Sequence, residues 1–111
     1  MGNGAIVSTV VVPDAPRNLI RDAVATTTSQ VGLSWDQGLL DGGSPVIDYR
    51  VAFDIGDGTF IVVQSGLTVR SYRRSPLNQG QSYTFKVQAR NAVGFSLYSE
   101  PISIIAAVGP S

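Results

Sequence analysis

A chain of 111 residues with eight Lys plus Arg against eight Asp plus Glu, and with neither His nor Cys, is sized for one domain with an ordinary apolar core. It carries no net charge with which to draw nucleic acid or an anionic membrane surface. The missing imidazoles and thiols also remove the usual general base, the thiolate nucleophile and the common ligands of zinc, haem and iron–sulfur clusters.

The chain opens on MGNGAIVSTVVV, an apolar run with no basic residue before it and too short to span a bilayer, so neither a signal peptide nor a membrane anchor is read there. The stretch from Ala5 to Val12 is uncharged, β-prone and free of Pro. Such a stretch pairs readily with an exposed sheet edge of its own or another chain, so residues 5–12 are expected either to be ordered as an added strand or to be a source of self-association. The first strand is expected over residues 14–22, with Pro16 marking it as an edge because proline cannot donate a ladder hydrogen bond.

Period-two alternation then places strands over 29–35, where Val31, Leu33 and Trp35 share a face, and over 46–54, where Ile47, Tyr49, Val51 and Phe53 do. Asp57-Gly58 predicts a hairpin turn into a strand over 59–64. Further strands are expected over 68–74, over 81–91 with Tyr83, Phe85, Val87 and Ala89 on one face, and over 98–106. Turn clusters at 12–16, 41–45 and 77–80 separate them. Seven short strands in this length predict an all-β, antiparallel, immunoglobulin-like β-sandwich. The two ends echo one another, since both carry a β-prone run closing on a proline. That echo reads as a repeat boundary: residues 1–12 as the end of a preceding repeat, 13–108 as the domain, and 109–111 as a linker.

Pro13-x-x-Pro16-x-x-Leu19, Val31-Gly32-Leu33-Ser34-Trp35, Gly42-Gly43-Ser44-Pro45-Val46-Ile47-Asp48-Tyr49-Arg50-Val51 and Leu77-x-x-Gly80-x-x-Tyr83-x-Phe85-x-Val87-x-Ala89-x-Asn91-x-x-Gly94-x-Ser96 follow one another in an order and spacing that resemble the fibronectin type III family. The resemblance runs from Pro13 to about Ala106. It implies that Trp35 fills the centre between two sheets and that Tyr83 makes a tyrosine corner, its hydroxyl bonding backbone near residues 77–80. The expected core is Leu19, Leu33, Trp35, Ile47, Tyr49, Val51, Leu77, Tyr83, Phe85 and Val87. Arg74 departs from the pattern, falling on an inward position where the family has an aliphatic residue, and is expected to lie at the sandwich end with its head in water. The Arg-Gly-Asp tripeptide that serves adhesion in this family is absent from the sequence.

Among the remaining constellations, Asp36, Asp41, Asp54 and Asp57 do not have calcium-loop spacing and are read as turn residues. Arg70, Arg73 and Arg74, with outward Arg50, Lys86 and Arg90, are read as a solvated face with cross-strand pairs. Ser34, Ser44 and Ser96 have no histidine to activate them. No catalytic residue, cofactor site or metal site is assigned. Leu39 and Leu40, in the loop after Trp35, and Phe95, before the last strand, are the candidate protein contacts. The reading is a non-catalytic structural and protein-interaction module, a spacer or adhesion domain in a tandem extracellular or cell-surface protein. Its partners would be neighbouring domains of the same chain, without nucleic acid or membrane insertion. The alternatives are a spacer in a secreted carbohydrate-active enzyme and a module of an intracellular cytoskeletal or ciliary array, since absent cysteines and absent Asn-x-Ser/Thr sites are neutral about compartment.

Overall fold

The structure, a computed structural model, describes residues 9–22, 30–75, 77–78 and 80–105. Within them lie the strands β1 (Arg17–Arg21), β2 (Val31–Asp36), β3 (Asp48–Asp54), β4 (Ile61–Leu67), β5 (Ser71–Arg74), β6 (Ser82–Arg90) and β7 (Ile102–Ile105). They make a three-stranded sheet in the order β1-β2-β5 and a four-stranded sheet in the order β4-β3-β6-β7. Every pairing is antiparallel. The all-β sandwich expected from the alternation is the fold observed.

Register explains how alternation becomes a core. Tyr49 lies opposite Ala89, Val51 opposite Val87 and Phe53 opposite Phe85, so residues two apart on β3 and β6 build one continuous apolar face. On the other sheet Leu33 pairs with Tyr72 and Val31 with Arg74. Between the sheets Val31, Leu33, Trp35, Tyr49, Val51, Phe53, Leu77, Tyr83, Phe85, Val87, Ala89 and Ile104 are buried, with Leu19 half-buried against them. The Trp35 and Tyr49 rings meet edge to face at 5.6 Å, and Phe53 stacks on Tyr83 at 5.8 Å. The Tyr83 hydroxyl accepts a hydrogen bond from the Asn78 backbone N–H at 2.9 Å, which closes the turn before β6.

Ile47 is the correction to the expected core. It is 49% exposed, because the pleat begins only at Asp48 and the residue packed against the core at this point is Val46. The Ile47 N–H still donates to the Arg90 carbonyl, so its backbone is tied to β6 while its side chain is not enclosed. Arg74 sits at the sandwich end, half-buried, with its guanidinium 4.8 Å from the centre of the Phe53 ring. The expected exit to water is thus combined with cover for an aromatic face.

Strand limits moved where local chemistry intervenes. β1 begins after Pro16, and a bulge between Arg17 and Ile20 is carried by Asn18 at φ 56°; the shift turns Leu19 inward and leaves Ile20 outside. β7 starts at Ile102 rather than residue 98, for reasons that belong to the stretch before it. Of the anticipated pairing segment 5–12, residues 5–8 lie outside the described residues and 9–12 are not a strand.

Trp35→Ala is expected to lower unfolding free energy by about 3–5 kcal/mol through lost burial and the cavity left behind. Ile47→Ala should cost less than about 1 kcal/mol, as for a half-exposed aliphatic. Urea midpoints of the two variants test the contrast, and equal losses would contradict the packing described.

Candidate protein-interaction site

One end of the sandwich gathers three segments that are far apart in sequence: the lead-in 9–16, the β2–β3 loop 37–47 and the loop 91–101. Asn91, 1% exposed, joins them. Its amide nitrogen donates to the Val11 carbonyl at 2.7 Å and the Asp41 carbonyl at 2.8 Å, while its oxygen accepts from the Val93 and Gly94 N–H groups. The Val11 N–H donates in turn to the Gly42 carbonyl at 2.9 Å. Gly42 has φ +82°, and a Cβ there would stand 2.2 Å from the Val11 carbonyl oxygen, so the close approach requires glycine.

The same wiring exposes the leucines. Leu40 is bonded twice to Asp14, its N–H donating to the Asp14 carboxylate at 3.1 Å and its carbonyl accepting from the Asp14 N–H at 2.9 Å. With the backbone fixed this way, Leu39 and Leu40 stand 74% and 69% exposed instead of folding back over the core. Phe95 goes elsewhere. Its ring lies on the outer face of the four-stranded sheet, 3.6 Å from the Arg50 guanidinium and 5.9 Å from that of Arg90. The two leucines are therefore adjacent exposed residues on the loop, while Phe95 is engaged by cations on the sheet.

That outer face is organised by cations lying over rings. Arg50 Nε donates to the Gln88 amide oxygen at 2.6 Å, and Arg90 makes two hydrogen bonds to the Asp48 carboxylate at 2.9 and 2.6 Å. Lys86, the sole lysine, places Nζ 3.8 Å from the Phe60 ring centre and 4.1 Å from that of Tyr98. The positive residues that alternate outward along β3 and β6 are thus largely spent within the domain. Sequence reasoning found the alternation but not the rings, because Phe60, Phe95 and Tyr98 all come from segments without period-two order.

Residues 95–99 reveal a second feature the sequence reading missed. Ser96 and Ser99 each bond β6 twice: the Ser96 N–H donates to the Ala89 carbonyl and the Ser99 N–H to that of Val87, while their hydroxyls accept from the Ala89 and Val87 N–H groups at 2.9 and 3.0 Å. Side-chain oxygens replace the backbone carbonyls of a strand, and this delays β7 to Ile102. Two serines three apart ahead of Pro101 were the available signal.

The aspartates act on their own loops. Asp54 accepts from the Gly56, Asp57 and Gly58 N–H groups at 2.7, 3.0 and 3.2 Å, Asp57 from Thr59, and Asp41 from Gly43. The Gly56 N–H, with the other donors of the turn, holds the Asp54 carboxyl below the ordinary carboxylate range against a smaller opposing effect of burial. Asp36 accepts from the Asn18 amide. Among the described residues no three acidic side chains gather in a way that could hold a metal ion, and no helix is long and apolar enough to cross a membrane.

The profile of the Fibronectin type III domain matches residues 14–105. The chain is 35% identical over 101 residues to Pikachurin of Rattus norvegicus, covering 88% of this chain and 10% of that protein. It is 33% identical over 106 residues to Fibronectin type-III domain-containing protein 3A of Homo sapiens, covering 95% and 9%. A crystal structure of a multidomain fragment of titin superposes with TM-score 0.77 at 30% identity, covering 86% of this chain and 32% of that one. The chain spans about a tenth of the two curated relatives.

The Asp48–Arg90 pair makes the outer face sensitive to acid. Hydrogen bonding from Arg90 holds the Asp48 carboxyl below its ordinary value of 3.8, against a smaller opposing effect of burial. A lowered folded-state pKa adds stability that is complete above the unfolded value and is lost as pH falls through the folded one. The stability gap between the native chain and Asp48→Asn should accordingly be largest at neutral pH and narrow as the pH drops below about 4. Urea midpoints measured at both ends of that range check it; a gap that is constant with pH would contradict the pairing.

Proposed function

The chain belongs to the fibronectin type III family, and from that premise we propose that it serves as a non-catalytic structural and protein-interaction module of a tandem multidomain protein at the cell surface or outside the cell. Residues 1–12 would be the end of a preceding repeat, 13–108 the domain and 109–111 a linker. As a spacer, the domain sets both distance and direction between its neighbours; as an adhesion unit, it offers exposed Leu39 and Leu40 beside the incoming chain.

The observation that supports this reading is the clamp on the lead-in. Val11 is held by Gly42 on one side and by the Asn91 amide on the other, so the chain enters the sandwich along a fixed path. A free tether would impose no orientation on what precedes it; a clamped one does. The entry lies beside the Arg90 end of β6, and Ile105, at the exit, pairs with Ser82 at the other end. A strand of nine residues separates the two by about 30 Å at roughly 3.4 Å per residue.

A second reading, an intracellular cytoskeletal array, draws support from the likeness to titin. The spacer mechanism is the same in either compartment, and localising the parent chain separates the two.

Asn91→Ala should release the lead-in while leaving the sandwich folded. Nitrogen-15 relaxation is expected to show Thr9 to Val12 as ordered as β6 in the native chain and much more mobile in the variant. A native lead-in that is already as mobile as a free tail would remove the basis for the orienting role.

A further inference from the structure

Two Asp-Gly pairs, Asp41-Gly42 and Asp57-Gly58, share one local geometry. Both glycines stand at φ +82°. Both aspartates turn their carboxyl back over the following peptide, Asp41 accepting from the Gly43 N–H at 2.9 Å and Asp57 from the Thr59 N–H at 3.0 Å. That bond brings the side-chain carboxyl carbon towards the glycine nitrogen between them, and glycine has no Cβ to keep the two atoms apart.

Freedom separates the pairs. The Asp41 carbonyl accepts from the Asn91 amide at 2.8 Å, and the Gly42 carbonyl from the Val11 N–H at 2.9 Å. A Cβ on Gly42 would stand 2.2 and 2.6 Å from the carbonyl oxygens of Val11 and Val12, so this peptide is tied on both carbonyls and enclosed. Asp57-Gly58 lies at the tip of the β3–β4 connection, where residues 55–59 are all exposed, and a Cβ on Gly58 would meet nothing within 4 Å. The base of this turn is fixed, by the Gln81 amide on the Ile55 carbonyl and by Asp54. The bond from the Gly58 N–H to Asp54 is the longest of the three that carboxylate accepts, at 3.2 Å. Exposed loop tips open locally at little cost, whereas a clamped, packed segment does not.

We propose that Asp57 is a site of spontaneous isoaspartate formation in the folded domain, and that the clamp on the lead-in protects Asp41 from the same reaction. The Gly58 nitrogen attacks the side-chain carboxyl carbon of Asp57 in its protonated form. A bond forms between them, and the amide proton leaves with the carboxyl hydroxyl as water. The resulting cyclic imide has lost one negative charge and the N–H that Gly58 gave to Asp54. Water then adds at either imide carbonyl. Breaking the original bond between the Asp57 carbonyl and the Gly58 nitrogen leaves the main chain running through the side-chain carbonyl, one carbon longer, with the former backbone carbonyl as a free carboxylate. One water is released and one consumed, so nothing beyond solvent is needed. The product is a lengthened hairpin turn at the end of the sandwich where Thr84 lies opposite Asp54.

Ageing the full 111-residue chain for several weeks in warm, mildly acidic buffer, with and without urea, tests this by peptide mapping. The isomer has unchanged mass, so its peptides are separated chromatographically and placed by electron-transfer fragmentation. Site-resolved reading is required because Asn3-Gly4 forms the same imide with loss of ammonia. In urea both aspartates should react at similar rates. In the native chain Asp57 should stay within a few-fold of its urea rate, while Asp41 slows by about tenfold or more. Asn91→Ala, shown by thermal melting to be folded, should restore reaction at Asp41 and leave Asp57 unchanged. Val11→Pro removes the N–H that holds Gly42 and is the second route to the same release. A native chain in which Asp57 is as protected as Asp41, or in which both react alike, overturns the proposal. Protection of Asp41 that survives in folded variants with a released lead-in overturns the role given to the clamp. The spacer reading does not depend on the chemistry at Asp57, and the relaxation measurement tests it separately.

Discussion

Among the described residues no strand belongs to both sheets, so the sandwich is held across its middle by side-chain packing alone. Phe85, Val51, Val87, Val31 and Leu33 are enclosed almost completely, and each contributes burial worth about 1.5–3 kcal/mol. The aromatic residues give that layer its shape. Trp35 reaches from the three-stranded sheet to Tyr49 on the other, while Phe53, Tyr83 and Phe85 lie in mutual contact. Only with this layer closed do the loops at either end acquire fixed positions.

Polar groups finish what the core begins. Asn91 is buried with its carboxamide engaged on both sides, so burial costs it little, and three loops share its geometry. Ser96 and Ser99 keep β6 bonded where no regular strand runs beside it. On the outer face, cations lie over rings and leave Ala52 wholly covered. A surface that looks basic in the sequence thereby becomes a cover for the second side of a sheet.

The core was legible in the sequence wherever the backbone is a regular pleat. β2, β3 and β6 alternate cleanly, and period two identifies which of their residues face the other sheet. It misleads at Ile47 because the parity of a strand was extended past the point where the pleat begins. The elements displaced furthest, β1 and β7, are those in which side chains take over the role of backbone: Asn18 at a bulge, and two serines ahead of Pro101. The candidate contacts were only partly legible. Loop position pointed to Leu39, Leu40 and Phe95 together, but Phe95 is drawn to Arg50 by ring electrostatics, and that attraction depends on a register invisible to local pattern.

The placement of entry and exit at opposite ends of β6 has a mechanical consequence. Inter-strand hydrogen bonds lie perpendicular to the strands. Tension applied at Val11 and Ile105 runs along the strands, so it loads the β6–β7 ladder sideways and all at once rather than opening it one bond after another. At the entry the force first meets the bonds Val11 makes with Gly42 and Asn91, which stand ahead of β1. The domain thus has a yield point outside its core: under load the lead-in can peel away and lengthen the chain before the sandwich itself is sheared.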